Sequence, residues 1–97
     1  MLALQQPEAM TAEIYISGRI TKDKTLKDVI RQFKSFDEPT EVVVEIKSNG
    51  GNKDEGNAVY DYLKNIDAEI PVTTKTGKAY SIAAKIFAAG RERIVED

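Results

Sequence analysis

The sequence contains no cysteine, no histidine and no tryptophan. Without cysteine there is no disulfide, no thiolate nucleophile and no zinc–thiolate site. That usage is compatible with the reducing cytosol, and a cytoplasmic location is the expectation. Without histidine the commonest general base and the commonest transition-metal ligand are both missing. Residues 1–10 show no basic stretch followed by an apolar one, so no secretory leader is expected. The longest apolar stretch, near the C-terminus, is broken by Lys85 and is far too short for a membrane span. Nor does one sign of charge dominate. Fourteen basic residues face sixteen acidic ones, a net charge of -2, so no strong field directs the chain to nucleic acid or anionic lipid. No metal-ligand cluster and no nucleotide fingerprint occur, so neither metal nor cofactor is expected.

What is present suits one domain at most: 97 residues, 41% apolar and 31% charged. This balance fits a thin sheet with helices that show wide polar faces, or a piece of something larger. Residues 1–11 mix Gln, Pro and Glu and read as a flexible arm, with the domain proper over 12–97. Glu13 to Ser17 alternates as a strand should. Thr25-Leu26-Lys27-Asp28 fits a capping box. Leu26, Val29, Ile30 and Phe33 follow at helical spacing, to about Phe36. Val42 to Ile46 is a nearly continuous β-branched run that suits a central strand covered on both faces. A second helix is expected from about Asp54 to Ile66, with Ala58, Val59, Tyr62, Leu63 and Ile66 on one face. Pro71 to Lys75 reads as a third strand, with Gly77 turning the chain. A third helix, from about Ser81 to Ala89, looks buried on most sides, with Gly90 as its C-cap. Arg93 to Glu96 reads as the beginning of a fourth strand. The resulting order, β-α-β-α-β-α-β, argues for a parallel sheet with right-handed crossovers, and for function at the C-terminal ends of its strands.

Two such ends carry unusual turns. Ser48-Asn49-Gly50-Gly51-Asn52 places a glycine pair between strand and helix. Glycines there permit positive φ and close approach of a ligand, and free N–H groups can hold an anion or a developing oxyanion. They also occur simply where a tight connection needs relief. Gly77-Lys78-Ala79-Tyr80-Ser81 leads from strand to helix. A serine there can be an exposed nucleophile at the positive end of a helix, or an ordinary N-cap.

Taken together, the motifs resemble a known family. Glu45-Ile46-Lys47-Ser48-Asn49-Gly50-Gly51, Gly56-Asn57-Ala58-Val59-Tyr60-Asp61, Pro71-Val72, Gly77-Lys78-Ala79-Tyr80-Ser81-Ile82-Ala83-Ala84 and Ala88-Ala89-Gly90 follow one another as in ClpP-like serine peptidases. The resemblance covers about Glu13 to Asp97 and is closest to the phage-type head maturation, or prohead, proteases. It implies an α/β fold, a ClpP/crotonase-like parallel sheet, here incomplete. It implies Ser81 as nucleophile, with the backbone N–H groups of Gly51 and Ile82 as oxyanion donors. Gly50, Asn52 and Lys53 fall in the segment along which the family lays an extended peptide substrate. The family's usual proline between Ser48 and Gly50 is Asn49 here. Family members form rings, so a homo-oligomer acting on peptide or protein is expected, with no nucleic-acid or membrane partner.

In the family the catalytic histidine and aspartate lie beyond the fourth strand, so the 97 residues read as the N-terminal portion of a peptidase domain. A serine hydroxyl without a base is a weak nucleophile. Lys85, one helical turn after Ser81, could form a Ser–Lys dyad only with a strongly lowered pKa, and a solvated role competes with that. Lys78 lies in the turn itself and reads as solvated. The apolar third helix and the barely begun fourth strand suggest a chain that is marginally stable alone and self-associates. The competing class is a non-catalytic α/β interaction module, either STAS-like or an assembly protein with the peptidase fold. The alternation fits a STAS domain, whereas the two turns do not look like its signature.

Overall fold

A computed structural model describes residues 10–96. Four strands and three helices alternate: β1 (Thr11–Ser17), α1 (Thr25–Lys34), β2 (Glu41–Ser48), α2 (Lys53–Asp67), β3 (Val72–Ala79), α3 (Ile82–Phe87) and β4 (Glu92–Val95). The strands form one parallel sheet in the order β1-β2-β3-β4. Each crossover adds the next strand on the same side. Right-handed connections of that kind put every helix on one face, and α1 packs on α2 and α2 on α3.

The core follows from strand alternation. Ala12, Ile14 and Ile16 of β1, Val42, Val44 and Ile46 of β2 and Val72 of β3 point to the helices and are buried. Val29, Val59, Leu63, Ile66, Ala83 and Ile86 meet them from the helices. Thr74 and Thr76 share this buried face. Their hydroxyls donate to the carbonyls of Phe87 at 2.6 Å and Ile46 at 2.7 Å, which offsets the desolvation of a buried hydroxyl.

The other face of the sheet is open, contrary to the expectation for β2. Its run Val42 to Ile46 is fully buried only at alternate positions, while Val43 and Glu45 are half-buried. A nearly continuous β-branched run therefore did not mean two covered faces. Glu13, Tyr15, Lys47, Glu92 and Ile94 are exposed, so the open face mixes charge with apolar area.

Several boundaries differ for physical reasons. β1 begins at Thr11, paired with Glu41, and Thr40 is bonded to Met10; the rest of the expected arm, residues 1–9, lies outside the described residues. β3 continues through Gly77 to Ala79. The register jumps from Ile46↔Thr76 to Lys47↔Lys78, so Gly77 is the extra residue of a β-bulge, where a turn was expected. α3 spans only six residues and exposes Ala84 and Lys85, so it is not buried on most sides. Gly90 is not the C-cap, which is Ala88. It packs instead against β3, where a Cβ would lie 2.3 Å from the Thr74 hydroxyl oxygen.

The capping box is also absent. Lys24 occupies the N-cap of α1 and gives no side-chain bond. Glu55 of α2 caps α1 from outside, accepting from the N–H groups of Asp23 at 3.1 Å and Leu26 at 2.7 Å. The outer edge of β1 is closed in a similar way. The Gln32 amide accepts from Tyr15 N–H at 2.8 Å and donates to Tyr15 C=O at 2.9 Å, so a helix side chain takes the place of a fifth strand. Glu55→Ala should therefore cost about 1–2 kcal/mol, as a lost charged cap does. Urea denaturation of the two proteins measures it, and an unchanged midpoint would mean that the cap adds nothing.

Candidate active site

β2 and β3 are parallel neighbours, so their C-terminal ends come out side by side, with Ser48 in register with Ala79. Tyr80 N–H donates to Ser48 C=O at 3.0 Å and ties the turn after β3 to the turn after β2. The buried Ser48 hydroxyl accepts from Gly50 N–H at 3.0 Å and curls the chain back. Gly50 C=O then accepts from Ile20 N–H, and Asn52 N–H donates to Ile20 C=O, both at 2.9 Å. The glycine turn is thus fastened on one side to the β1–α1 loop and on the other to the β3–α3 turn.

Both glycines are required by this closeness. Gly50 has φ 104° and Gly51 has φ 153°. A Cβ on Gly50 would lie 2.8 Å from the Ser81 Cβ and 2.9 Å from the Tyr80 carbonyl oxygen; on Gly51 it would lie 2.2 Å from the Ile20 carbonyl oxygen. The two turns meet backbone to backbone at the C-terminal edge of the sheet, as their position after parallel strands implied.

Ser81 stands at the junction with φ 57° and ψ −131°, outside the regions that L-residues favour. Such a conformation costs on the order of 1–3 kcal/mol and persists only where the surroundings enforce it. It is the N-cap residue of α3 by position, yet its side chain makes no capping bond. The first turn of α3 is closed by backbone bonds, Ala83 N–H to Tyr80 C=O and Ala84 N–H to Ser81 C=O. The hydroxyl is left exposed above Gly50, without a partner among the described residues. The N–H groups of Gly51 and Ile82 likewise meet no acceptor among the described residues. The joined turns thus carry one hydroxyl and two N–H donors without partners among the described residues, on Ser81, on the residue after it and on the residue after Gly50. With only six residues, α3 contributes a weak dipole, so these individual donors matter more than the helix as a whole.

The remaining sequence candidates are placed as follows. Asn52 caps α2, its Oδ1 accepting from Glu55 N–H at 2.8 Å. Lys53 is the exposed first residue of that helix. Lys85 Nζ donates to Asn57 Oδ1 at 2.5 Å and lies 5.0 Å from the Tyr60 ring centre, so α2 holds it and no contact with Ser81 forms. Lys78 lines an open cleft of about 470 Å³ beside the glycine turn, together with Arg19, Lys47, Asn49, Gly50 and Gly51. Ser81 does not line this cleft but lies next to Gly50, which does.

Gly56 is a site-positioning residue that carried no expected role. It is buried in α2, and a Cβ there would lie 2.2 Å from Ile82 Cγ1. Its bareness lets Ile82 seat against α2, which fixes where α3, and hence the Ile82 N–H, begins. A glycine inside an otherwise good helical pattern was the available signal.

The family model described as Clp protease matches residues 5–95, nearly the whole chain. The chain belongs to the Clp protease family. A comparison with curated proteins gave no match. Clp proteases are serine peptidases that act as oligomers on protein substrates, and the four-stranded parallel sheet alternating with helices is consistent with a partial fold of that kind. Among the described residues of this Clp protease chain, no helix is long and apolar enough to cross a membrane.

Two stability measurements check the local geometry. Gly50→Ala should cost about 2–4 kcal/mol, combining positive-φ strain with a clash against fixed backbone. Gly18, with φ 80° but nothing within 4 Å of its Cβ position, isolates the strain alone, and Gly18→Ala should cost about 1 kcal/mol. Equal losses would mean that the approach of Ser81 is not the constraint. In the opposite direction, Ser81→Gly should be about 1 kcal/mol more stable than Ser81→Ala, because glycine relieves the strained φ. Equal midpoints for that pair would contradict the strain.

Proposed function

We propose that this chain carries the nucleophile and oxyanion hole of a serine endopeptidase. Ser81 Oγ attacks the scissile carbonyl, and the N–H groups of Gly51 and Ile82 stabilise the oxyanion. The observation that carries this reading is the strained, uncapped Ser81 beside two N–H donors that meet no acceptor among the described residues. Preorganised donors of this type are worth roughly 10²–10³ in rate each, because they need not reorient as charge develops. The strained turn lifts the hydroxyl clear of α3, so a peptide carbonyl can reach it. The segment from Gly50 through Asn52 to Lys53 frames the approach of an extended substrate, with Asn52 holding the frame through its cap. The prohead-protease likeness makes processing of a phage head protein one setting for this chemistry, with the peptidase acting in the cytoplasm as a homo-oligomer.

Attack requires that the serine proton be taken up. The 97 residues include no histidine, and Lys85 is engaged by Asn57 and Tyr60. Components of a catalytic unit fail together, so this chain alone should cleave casein or a fluorogenic peptide no faster than its Ser81→Ala variant. Robust cleavage that Ser81→Ala abolishes would show that a base is present after all, and Lys85 would be the first candidate.

The serine and the hole can be tested without turnover. A tripeptide boronic acid presents a trigonal boron. This accepts the Ser81 oxygen to become a tetrahedral anion, while the hydroxyl proton passes to solvent. Titration followed by ¹⁵N NMR should shift the Gly51 and Ile82 amides most, with the response lost in Ser81→Ala. Shifts that survive in Ser81→Ala, or that leave both amides unmoved, would overturn the assignment.

A further inference from the structure

The cleft beside the glycine turn is lined with cations and no carboxylate. Arg19 comes from the loop after β1, Lys47 from the end of β2 and Lys78 from the end of β3. Lys47 and Lys78 are register partners on adjacent strands, so two like charges face each other at the bulge. Facing like charges destabilise a sheet. Ion pairs among the described residues join Arg31 to Asp28, Lys75 to Glu96 and Arg91 to Asp67, and none includes Arg19, Lys47 or Lys78. Glu45 borders a neighbouring hollow with Lys47, and Asp28 one with Arg19, but both lie outside the cleft and neither forms an ion pair with the three. A chain with a net charge of -2 has thus gathered three cations, none in an ion pair among the described residues, around the turn whose Gly51 N–H meets no acceptor among those residues.

We infer that this cleft is a subsite for an acidic side chain, aspartate or glutamate, of a peptide bound at the Ser81 turn. The inference rests on the peptidase reading above for the presence of a peptide there. A carboxylate placed between Lys47 and Lys78 turns their repulsion into two attractions. Arg19 adds a third cation, and neighbouring backbone N–H groups can satisfy a second carboxylate oxygen. The site is exposed, so each pair contributes modestly and screening by salt is strong. Its effect is a preference among sequences.

Two capped octapeptides test this, one alternating alanine and glutamate, the other its glutamine isostere. Both are titrated into the ¹⁵N-labelled chain at low salt. The glutamate peptide should bind about tenfold more tightly, shift the Gly51 amide, and lose its advantage at high salt. K47Q/K78Q removes a like-charge pair and should melt no lower than the parent; it should bind both peptides equally. Arg19→Gln, outside the sheet, provides a second reading if the double variant misfolds. Equal binding of the two peptides to the parent chain would overturn the acidic subsite and leave the peptidase reading standing. A glutamate preference that persists in both variants would overturn it too, by placing the preference elsewhere. Binding of neither peptide would count against both.

Discussion

The site depends on two backbone turns lying closer together than a side chain would allow. Gly50 passes so near Ser81 that a single added carbon would overlap both the serine Cβ and the Tyr80 carbonyl. That approach is held from both sides. Tyr80 N–H reaches across to Ser48 C=O, and Ile20 bonds the glycine turn through its N–H and C=O. With its position fixed in this way, Ser81 is driven to positive φ and its hydroxyl is lifted away from the capping role that a serine at a helix start usually takes. The Gly51 and Ile82 N–H groups are without acceptors among the described residues. Strain and exposure at Ser81 go with this contact, while the Ile82 N–H is without an intrahelical acceptor because it opens α3.

The scaffold makes that contact rigid by simple means. Sequential parallel strands bring successive βα turns to one edge, so β2 and β3 need no long loop to present them. Glu55, just after the turn, caps α1, and Asn52, within it, caps α2. The glycine turn is therefore embedded between two helix starts that side chains cap. Gly56 completes the arrangement by letting Ile82 bed into α2.

The order of elements was legible from local signals: alternation in β1, a β-branched run in β2, a short run between Pro71 and Gly77 in β3, and spacing near 3.6 in α1 and α2. The glycine pair and Ser81 were legible too, since few other residues in the chain combine a strand end with a helix start. Less visible was anything that depends on partners distant in sequence. Thr25 and Asp28 matched a capping box, but a carboxylate 29 residues after Leu26 reached its N–H instead. The run Val42 to Ile46 looked covered on both sides, yet all three helices lie on one face, and hydropathy alone cannot count layers. Gly77 looked like a turn because a bulge and a turn call for the same residue. The cationic cleft was hidden for a related reason: Arg19, Lys47 and Lys78 are far apart in sequence and read singly as solvated. Only the register brings Lys47 and Lys78 face to face.

Membership of the Clp protease family gives this geometry its chemical context. On the reading proposed above, Ser81 is the nucleophile and the Gly51 and Ile82 N–H groups form the hole, and the sequence holds no histidine to take the serine proton. All of this stands on the contact between the two turns, and that contact can be measured directly. A NOESY spectrum of the isotopically labelled chain should show strong cross-peaks between the Gly50 α protons and the Ser81 β protons, as expected for carbons that nearly touch. A folded chain lacking those cross-peaks, with Ser81 showing instead the pattern of an ordinary N-cap, would contradict the account.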